Sequence, residues 1–368
     1  MAHAAAIPAD KALADKVADT APAAGRLSKS ESISSRAPEA PIQRLMAMAA
    51  DDMAAVDALI LQRMQSPVGL IPDLAQHLVG AGGKRLRPLL TVACARLCGY
   101  TDADPGGTAH HKLAASVEFI HSATLLHDDV VDQSAMRRGR KSANRVWGNA
   151  SSVLVGDFLF ARSFNLMVET GSLEALDILA RASSTIAEGE VSQLAGLRDL
   201  DVDEPRYLAV VEAKTAELFA AACEVAPVVA NRPEAERRAL RAYGRALGLA
   251  FQLVDDALDY GGTSTVLGKR VGDDFREGKL TLPVIRALAT ADAEERRFWQ
   301  RTMHDLDQTE VDLERAVSVL RAAGALRSTL QSAEGYVREA QEALEVFADG
   351  PWKAALADVA AYVVARRS

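Results

Sequence analysis

Hydrophobic positions recur about every 3.6 residues from Ile42 almost to the end of the chain, the spacing expected of helices that each bury one face. Glycine and proline clusters separate the segments, and no linker-like stretch interrupts the pattern. We therefore predict one large all-α domain, residues 42–368. The predicted helices are 42–65, 73–80, 86–99, 108–135, 145–169, 172–196, 205–226, 233–260, 281–290, 293–304, 309–323, 326–348 and 351–366.

Residues 1–41 differ from the rest, because they are rich in Ala, Pro, Ser and alternating charges and contain few large apolar side chains. Such a segment cannot build a core, so we predict a disordered N-terminal extension. It lacks the continuous apolar stretch of a signal peptide. The longest apolar run, 218–230, is interrupted by Glu224 and Pro227, so we expect no transmembrane segment.

Composition narrows the class of protein further. Aromatic residues make up only 5% of the chain, which favours helices over strands. A net charge of −8 provides no basic surface for nucleic acid, so we expect no nucleic-acid partner. The cysteines, Cys94, Cys98 and Cys223, form neither a disulfide framework nor a CxxC pair, and we expect a cytoplasmic protein with these residues in its core.

Two acidic clusters follow long apolar helices and share the spacing DDxxD. One such cluster could be a solvated acidic face, but a second copy with the same spacing favours a shared site. An antiparallel bundle can present both at one end of its core, where all-oxygen ligands suit Mg²⁺. The pair Asp51-Asp52 has no carboxylate four residues later, and we expect it at the surface. The two clusters are Asp128, Asp129 and Asp132, and Asp255, Asp256 and Asp259.

Cations occur near several predicted helix ends. The segment 82–88, GGKRLRP, places three of them in a glycine-opened loop at a helix start, where free backbone N–H groups also favour anions. Alone, this segment could equally be a basic surface loop. Further cations are Arg137, Arg138, Lys214, Lys269 and Lys279. Together with the six aspartates, they predict a site for two diphosphate substrates bridged by Mg²⁺.

The ordered motifs resemble those of trans-type polyprenyl diphosphate synthases of the isoprenoid synthase class I fold, from about residue 45 to the C-terminus, and most of all the long-chain octaprenyl, solanesyl and decaprenyl enzymes. The motifs are GGKRLRP (82–88), HSATLLHDDVVDQSAMRRG (121–139), VLVGDFLFARSF (153–164), AKT (213–215), FQLVDDALDY (251–260) and GKRVGDDFREGKLTLP (268–283). The resemblance implies a helical bundle around a central cavity. It also implies an Mg²⁺-dependent prenyltransferase that adds isopentenyl diphosphate repeatedly to an allylic diphosphate such as farnesyl diphosphate.

The resemblance also implies roles for individual residues. Isopentenyl diphosphate would be held by Lys84, Arg87, His121 and Arg138. Asp128, Asp132 and Asp255 would ligate Mg²⁺, three ions in all, and Asp129, Asp256 and Asp259 would complete the metal set. The allylic diphosphate would be gripped by Arg137, Lys214 and Lys269. Thr215 and Gln252, with Lys214, are the candidate catalytic residues, since the first two would stabilise the carbocation.

Product length follows from the residues one helical turn before the first aspartate, which are Ala123 and Thr124. Short-chain relatives often carry bulky aromatics there, whereas these small side chains leave room for a tail of about C40 to C50. Such a product is the side-chain precursor of a respiratory quinone.

Three other functions share part of this pattern of motifs. Geranylgeranyl diphosphate synthase is the main alternative. A class I terpene cyclase usually lacks both the second DDxxD and the GGKRLRP loop, and a non-catalytic synthase subunit typically loses aspartates. The family usually forms homodimers, and helices 145–196 offer an apolar surface for one, although they could equally be buried within one subunit.

Overall fold

A computed structural model of the chain describes residues 41–79, 85–137, 139–261 and 272–365, all within one compact unit, Glu39–Ser368. Apart from Pro41, the predicted disordered extension lies outside the described residues. So do Lys84, Arg138 and Lys269. The described chain is almost entirely helical, so the all-α prediction is confirmed.

Eight helices and one short hairpin form the first half of the described chain. The hairpin pairs its two strands antiparallel, with Met136 opposite Lys141. The elements are α1 (Pro41–Met48), α2 (Ala50–Arg63), α3 (Leu70–Val79), α4 (Leu86–Leu97), α5 (Ala109–Val131), β1 (Met136–Arg137), β2 (Arg140–Lys141), α6 (Ala143–Trp147), α7 (Asn149–Val168) and α8 (Leu173–Ala195).

The second half contains nine helices and two π-helical turns, Glu212–Ala216 and Gln300–His304. The helices are α9 (Glu204–Val211), α10 (Glu217–Val229), α11 (Glu234–Gly261), α12 (Asp273–Arg276), α13 (Leu282–Thr290), α14 (Ala293–Trp299), α15 (Asp312–Ala322), α16 (Ala325–Ala343) and α17 (Pro351–Ala365). A 3₁₀ turn, Leu344–Val346, follows α16.

Several predicted helices are interrupted where the backbone departs from regular helical geometry. The predicted helix 145–169 divides at Gly148, whose φ of 84° is accessible to glycine at little cost. The predicted helix 108–135 ends at Val131, because Gln133 adopts a φ of 52° and the hairpin follows. The predicted helix 205–226 contains the π turn and continues through Pro227 to Val229.

The core is built around α5, α10 and α11. Helix α5 packs on α7, α4 and α10, and α11 packs on α10 and α16. The contact between α10 and α11 depends on Gly244 and Gly248, since a Cβ on Gly248 would lie 2.7 Å from the Cα of Ala216. This packing sets the π turn Glu212–Ala216 against α11, whose C-terminal end carries the second DDxxD cluster.

The expectation that Asp51 and Asp52 lie at the surface is confirmed for Asp51, which is exposed, and wrong for Asp52. Asp52 is only 7% exposed, because Arg96 and two histidines cover its carboxylate. The cysteines, by contrast, are free and buried, as predicted.

Within the described part of the chain, one helix is long and apolar enough to cross a membrane on length and composition alone. This helix is α7, and 39% of the window concerned is buried inside the protein. Core helices of soluble proteins pass the same test.

Candidate active site

The first acidic cluster lies in the last turn of α5, with Asp132 as its C-terminal cap. Burial raises the pKa of Asp128 to about 7, and the negative charges of Glu190 and Asp132 add to this, while Lys214 opposes it. The Lys214 Nζ lies 4.0 Å from Asp128 Oδ2 and 2.7 Å from Glu190 Oε2. Lys214 is therefore the cation that the fold brings closest to Glu190 and Asp128 together.

Asp129 has different surroundings from its neighbours, because its side chain is fully buried. Arg137 donates from Nε to Asp129 Oδ1 at 2.8 Å, and its Nη2 lies 2.7 Å from the same oxygen. Asn144 donates to the Asp129 backbone carbonyl at 2.8 Å. These contacts attach the hairpin and α6 to the end of α5, and they hold the Arg137 guanidinium beside the first acidic cluster.

The second cluster lies at the C-terminal end of α11. Asp256 is buried and accepts hydrogen bonds from the Tyr207 hydroxyl and from Gln252 Nε2, the latter at 2.8 Å. Asp259 accepts from the backbone N–H of Asp274 at 3.0 Å. Burial, followed by the nearby charge of Asp274, raises the pKa of Asp256 to about 6 and that of Asp259 to about 7. Asp255 is half-buried.

A chain of contacts through the π turn connects the two clusters. Thr215 Oγ1 donates to Gln252 Oε1 at 3.1 Å, and Gln252 in turn donates to Asp256. Lys214, the residue before Thr215, faces Asp128. One π turn thus reaches the first cluster directly through Lys214 and the second cluster indirectly, through Thr215 and Gln252. These are the three predicted catalytic residues.

The segment after α11 gives a second sign that the clusters face each other. Burial raises the pKa of Glu277, and both Asp274, beside the second cluster, and Asp132, in the first cluster, raise it further. Glu277 is therefore near enough to both Asp132 and Asp274 for their negative charges to raise its pKa.

Arg87 and His121 meet on the α4 side of α5. Arg87 Nη1 lies 3.3 Å from His121 Nε2, and the guanidinium lies 4.3 Å from the centre of the Phe219 ring. His121 is seven residues before Asp128, so it shares a face of α5 with Asp128 about two turns away. Two of the predicted contacts to isopentenyl diphosphate are therefore adjacent.

Sequence reasoning missed several residues of the site. Glu190 and Tyr207 carry no signal in the spacing of the motifs, because α8 and α9 meet the clusters only through tertiary packing. Asp274 stands within the 268–283 motif but was not singled out. Lys279, one of the predicted cations, is its partner, with Nζ 3.4 Å from Asp274 Oδ1. The negative charge of Asp274 is the main cause that raises the pKa of Lys279.

Comparison with known proteins agrees with this geometry. The sequence model of the polyprenyl synthetase family matches residues 68–320. The chain is 44% identical over 325 residues to the octaprenyl diphosphate synthase of Escherichia coli (strain K12), which covers 88% of this chain and 99% of that one. The chain belongs to the polyprenyl synthetase family. Both the predicted resemblance and the prediction of a prenyltransferase are confirmed.

Two solved structures share the fold of this prenyltransferase. A polyprenyl synthase from Caulobacter crescentus CB15, complexed with calcium and isoprenyl diphosphate, is 55% identical with a TM-score of 0.84, covering 89% of this chain and 98% of its own. A decaprenyl diphosphate synthase from Rhodobacter capsulatus is 53% identical, also with a TM-score of 0.84, covering 89% and 100%.

The family depends on Mg²⁺ and acts on isoprenyl diphosphates. The donor set of the two DDxxD clusters fits this ion, because it consists of carboxylate oxygens whose burial disfavours their charge unless a cation compensates it. In the described chain, the possible ligand atoms that already converge within 4.8 Å belong to another group, Asp52, Asp102, His110 and His111.

Proposed function

We propose that this prenyltransferase is a long-chain all-trans polyprenyl diphosphate synthase. It adds isopentenyl diphosphate repeatedly to an allylic diphosphate such as farnesyl diphosphate, and it makes an octaprenyl to decaprenyl product that serves as a quinone side chain. The observation that supports this proposal best is the pair of DDxxD clusters facing each other across Lys214 and Thr215. The octaprenyl and decaprenyl relatives support the length of the product.

The reaction begins when the allylic C–O bond breaks into a delocalised carbocation and a diphosphate. Asp128, Asp132 and Asp255 would hold the Mg²⁺ ions, three in all, and the bound ions would stabilise the negative charge of the leaving diphosphate. Lys214 adds a fixed positive charge beside Asp128. Lys84, Arg138 and Lys269 retain their proposed roles as diphosphate contacts.

The hydrogen bonds of the π turn orient oxygens toward a cation. Thr215 donates its hydroxyl hydrogen to Gln252, so the lone pairs of the Thr215 oxygen remain available to the carbocation. Gln252 is itself oriented, because its amide nitrogen donates to the buried Asp256. These two side chains would stabilise the cation without acting as nucleophiles.

The condensation forms a bond between the carbocation and the terminal carbon of isopentenyl diphosphate, and it ends with the loss of one proton. The departed diphosphate can accept this proton. His121 is bound to Arg87, so we assign it to substrate binding, with no role as a base. His127 lies 3.2 Å from the Val153 carbonyl and 3.3 Å from Asp157, a structural position between α5 and α7.

The growing tail requires an apolar space below the aspartates. The side chains that α5, α7, α8 and α10 turn toward one another are apolar and buried, so this region offers the tail an apolar surrounding. Ala123 is small and buried on α5. The Thr124 hydroxyl donates to the His121 carbonyl, so this hydroxyl needs no polar partner from the space for the tail. A phenylalanine at position 123 would shorten the product, whereas an unchanged length would contradict this placement of the tail.

One assay tests the function as a whole. The protein is incubated with labelled isopentenyl diphosphate, farnesyl diphosphate and Mg²⁺, and the dephosphorylated products are sized. We expect products of eight to ten prenyl units, the lengths named for the octaprenyl and decaprenyl relatives. A geranylgeranyl end point would favour that alternative, and no incorporation at all would contradict the synthase assignment.

We also propose a cytoplasmic homodimer. Apolar side chains on the outer faces of α7 and α8 are exposed, with Leu154 at 68% and Leu173 at 81%. Burying such a patch against a second copy would remove it from water. Light scattering should give the mass of a dimer for the protein, and the variant Leu154→Glu should shift it toward the monomer. A monomeric wild-type protein would contradict this proposal.

A further inference from the structure

A second group of potential metal ligands lies far from the catalytic aspartates. Asp52 is on α2, Asp102 is in the segment between α4 and α5, and His110 and His111 are in the first turn of α5. Asp128 is eighteen residues further along α5, a separation of roughly 27 Å at the rise of an α-helix. This group is therefore distinct from the DDxxD clusters.

We propose that Asp52, Asp102, His110 and His111 form a Zn²⁺ site that ties α2 and the segment between α4 and α5 to the start of α5. Their potential ligand atoms all lie within 4.8 Å of one another. Two imidazoles and two carboxylates are a donor set that suits a first-row transition ion such as Zn²⁺, whereas Mg²⁺ prefers oxygen ligands alone.

The distances between ligand atoms support a tetrahedral site. Ligands about 2.1 Å from a tetrahedral ion are about 3.4 Å from each other. His110 Nε2 lies 3.4 Å from Asp52 Oδ1 and 3.5 Å from Asp102 Oδ1. His111 Nε2 lies 2.8 Å from Asp52 Oδ1, and this edge must lengthen by about half an ångström when the ion binds. Arg96 Nη2 also contacts Asp52 Oδ1, and it must leave that oxygen when the ion binds.

Burial also suits a metal site. Both histidines and Asp52 are buried, whereas the Asp102 side chain is 54% exposed and leaves a route from solvent.

Arg96 lies beside two of the proposed ligands, Asp52 and Asp102, and could hold their carboxylates in position. It donates from Nε to Asp52 Oδ2 at 2.8 Å, and its Nη2 also contacts Asp52 Oδ1. The same Nη2 lies 3.7 Å from Asp102 Oδ1. The Nε hydrogen bond can persist with the ion bound, because it uses the other oxygen of Asp52. Such contacts around metal ligands fix their orientation. The alternative is an ion-pair network with no metal, and the experiment below separates the two.

Cobalt is the probe, since tetrahedral Co²⁺ absorbs visible light strongly and the octahedral ion bound by carboxylates absorbs weakly. The chelator-treated full-length protein, with Mg²⁺ in excess to occupy the DDxxD clusters, is titrated with Co²⁺. We expect a tetrahedral spectrum that saturates at one ion per chain and disappears when Zn²⁺ is added. We also expect Zn²⁺ to raise the thermal unfolding midpoint. No tetrahedral spectrum would overturn the proposal.

Variants assign the spectrum to these residues. Asp102→Asn alters an exposed ligand and should fold normally, and it should weaken Zn²⁺ binding at least about tenfold. His111→Ala should do the same. The matched control is His304→Ala, which removes an exposed histidine paired with Asp305 at 2.8 Å. The proposal is wrong if Asp102→Asn and His111→Ala bind Zn²⁺ like wild type, or if His304→Ala loses the spectrum.

Discussion

The two DDxxD clusters have the same spacing but are stabilised in different ways. Cations flank the first, since Arg137 binds Asp129 and Lys214 faces Asp128. Neutral donors bond to the second, since Tyr207 and Gln252 bind Asp256, and the half-buried cation Lys279 acts on Asp256 only through its charge. In both clusters the middle aspartate is buried and bonded to protein. The same DDxxD motif can therefore contain an aspartate that bonds to the protein and aspartates that are proposed to bind metal. The residues packed around each aspartate decide which of these roles it has.

The largest effect should come from the outer aspartates. Asp128→Asn and Asp255→Asn each remove a carboxylate proposed to hold Mg²⁺, so kcat should fall by about 10³-fold or more while the fold is retained. Steady-state kinetics and circular dichroism on the same preparations measure the two quantities. If either variant kept near-normal kcat, its cluster would not be needed for catalysis, and the two clusters would differ in function as well as in their contacts.

The next effect concerns the packing that brings the clusters together. In Gly248→Ala, the added methyl group would press on Ala216 at the end of the π turn, so the free energy of unfolding should fall by about 1–3 kcal/mol. The shift should also disturb the bond between Thr215 and Gln252 and lower kcat.

Gly335→Ala on α16 is the matched control for this packing. Its Cβ would meet only the end of Arg338, at 3.8 Å, and alanine favours the helix, so stability should rise slightly. Chemical denaturation measures both glycine variants. Equal stability of the two would show that α10 and α11 tolerate more separation than the structure implies.

The raised pKa values of Asp128 and Asp259, both about 7, predict opposite effects of pH on metal binding and on metal-free stability. Below pH 7 protons compete with Mg²⁺, so the affinity should fall by up to about tenfold per pH unit for each group.

Metal-free stability should change in the other direction. The folded pKa lies above the unfolded value of about 3.9, so the folded state binds more protons between pH 4 and 7. The contribution of these groups to stability therefore improves as the pH falls through 7 toward 4. Thermal unfolding with chelator, and Mg²⁺ titrations across the same range, measure the two trends. If Mg²⁺ affinity and metal-free stability changed in the same direction with pH, the burial of Asp128 and Asp259 would be contradicted.

The smallest effect should come from Tyr207→Phe, which removes one neutral donor from Asp256. We expect a loss of about 1 kcal/mol of stability and a several-fold lower kcat, because Gln252 still holds the carboxylate. Kinetics and denaturation of this variant can be compared with those of Arg137→Gln, which removes a charged partner from buried Asp129 and should cost more. If Tyr207→Phe lost more stability than Arg137→Gln, the neutral donor in the second cluster would matter more than the charged partner in the first, contrary to this expectation.

Sequence alone determined the helical class, the two DDxxD clusters and the family motifs, because these depend on local periodicity and short spacings along α5 and α11. Only the tertiary structure decided that Glu190 and Tyr207 join the site, that Arg137 binds Asp129, and that Asp52 is buried among histidines. Each of these contacts joins residues whose meeting depends on how helices and connecting segments pack. Packing depends on side-chain shape across the whole core, which no local pattern of residues records.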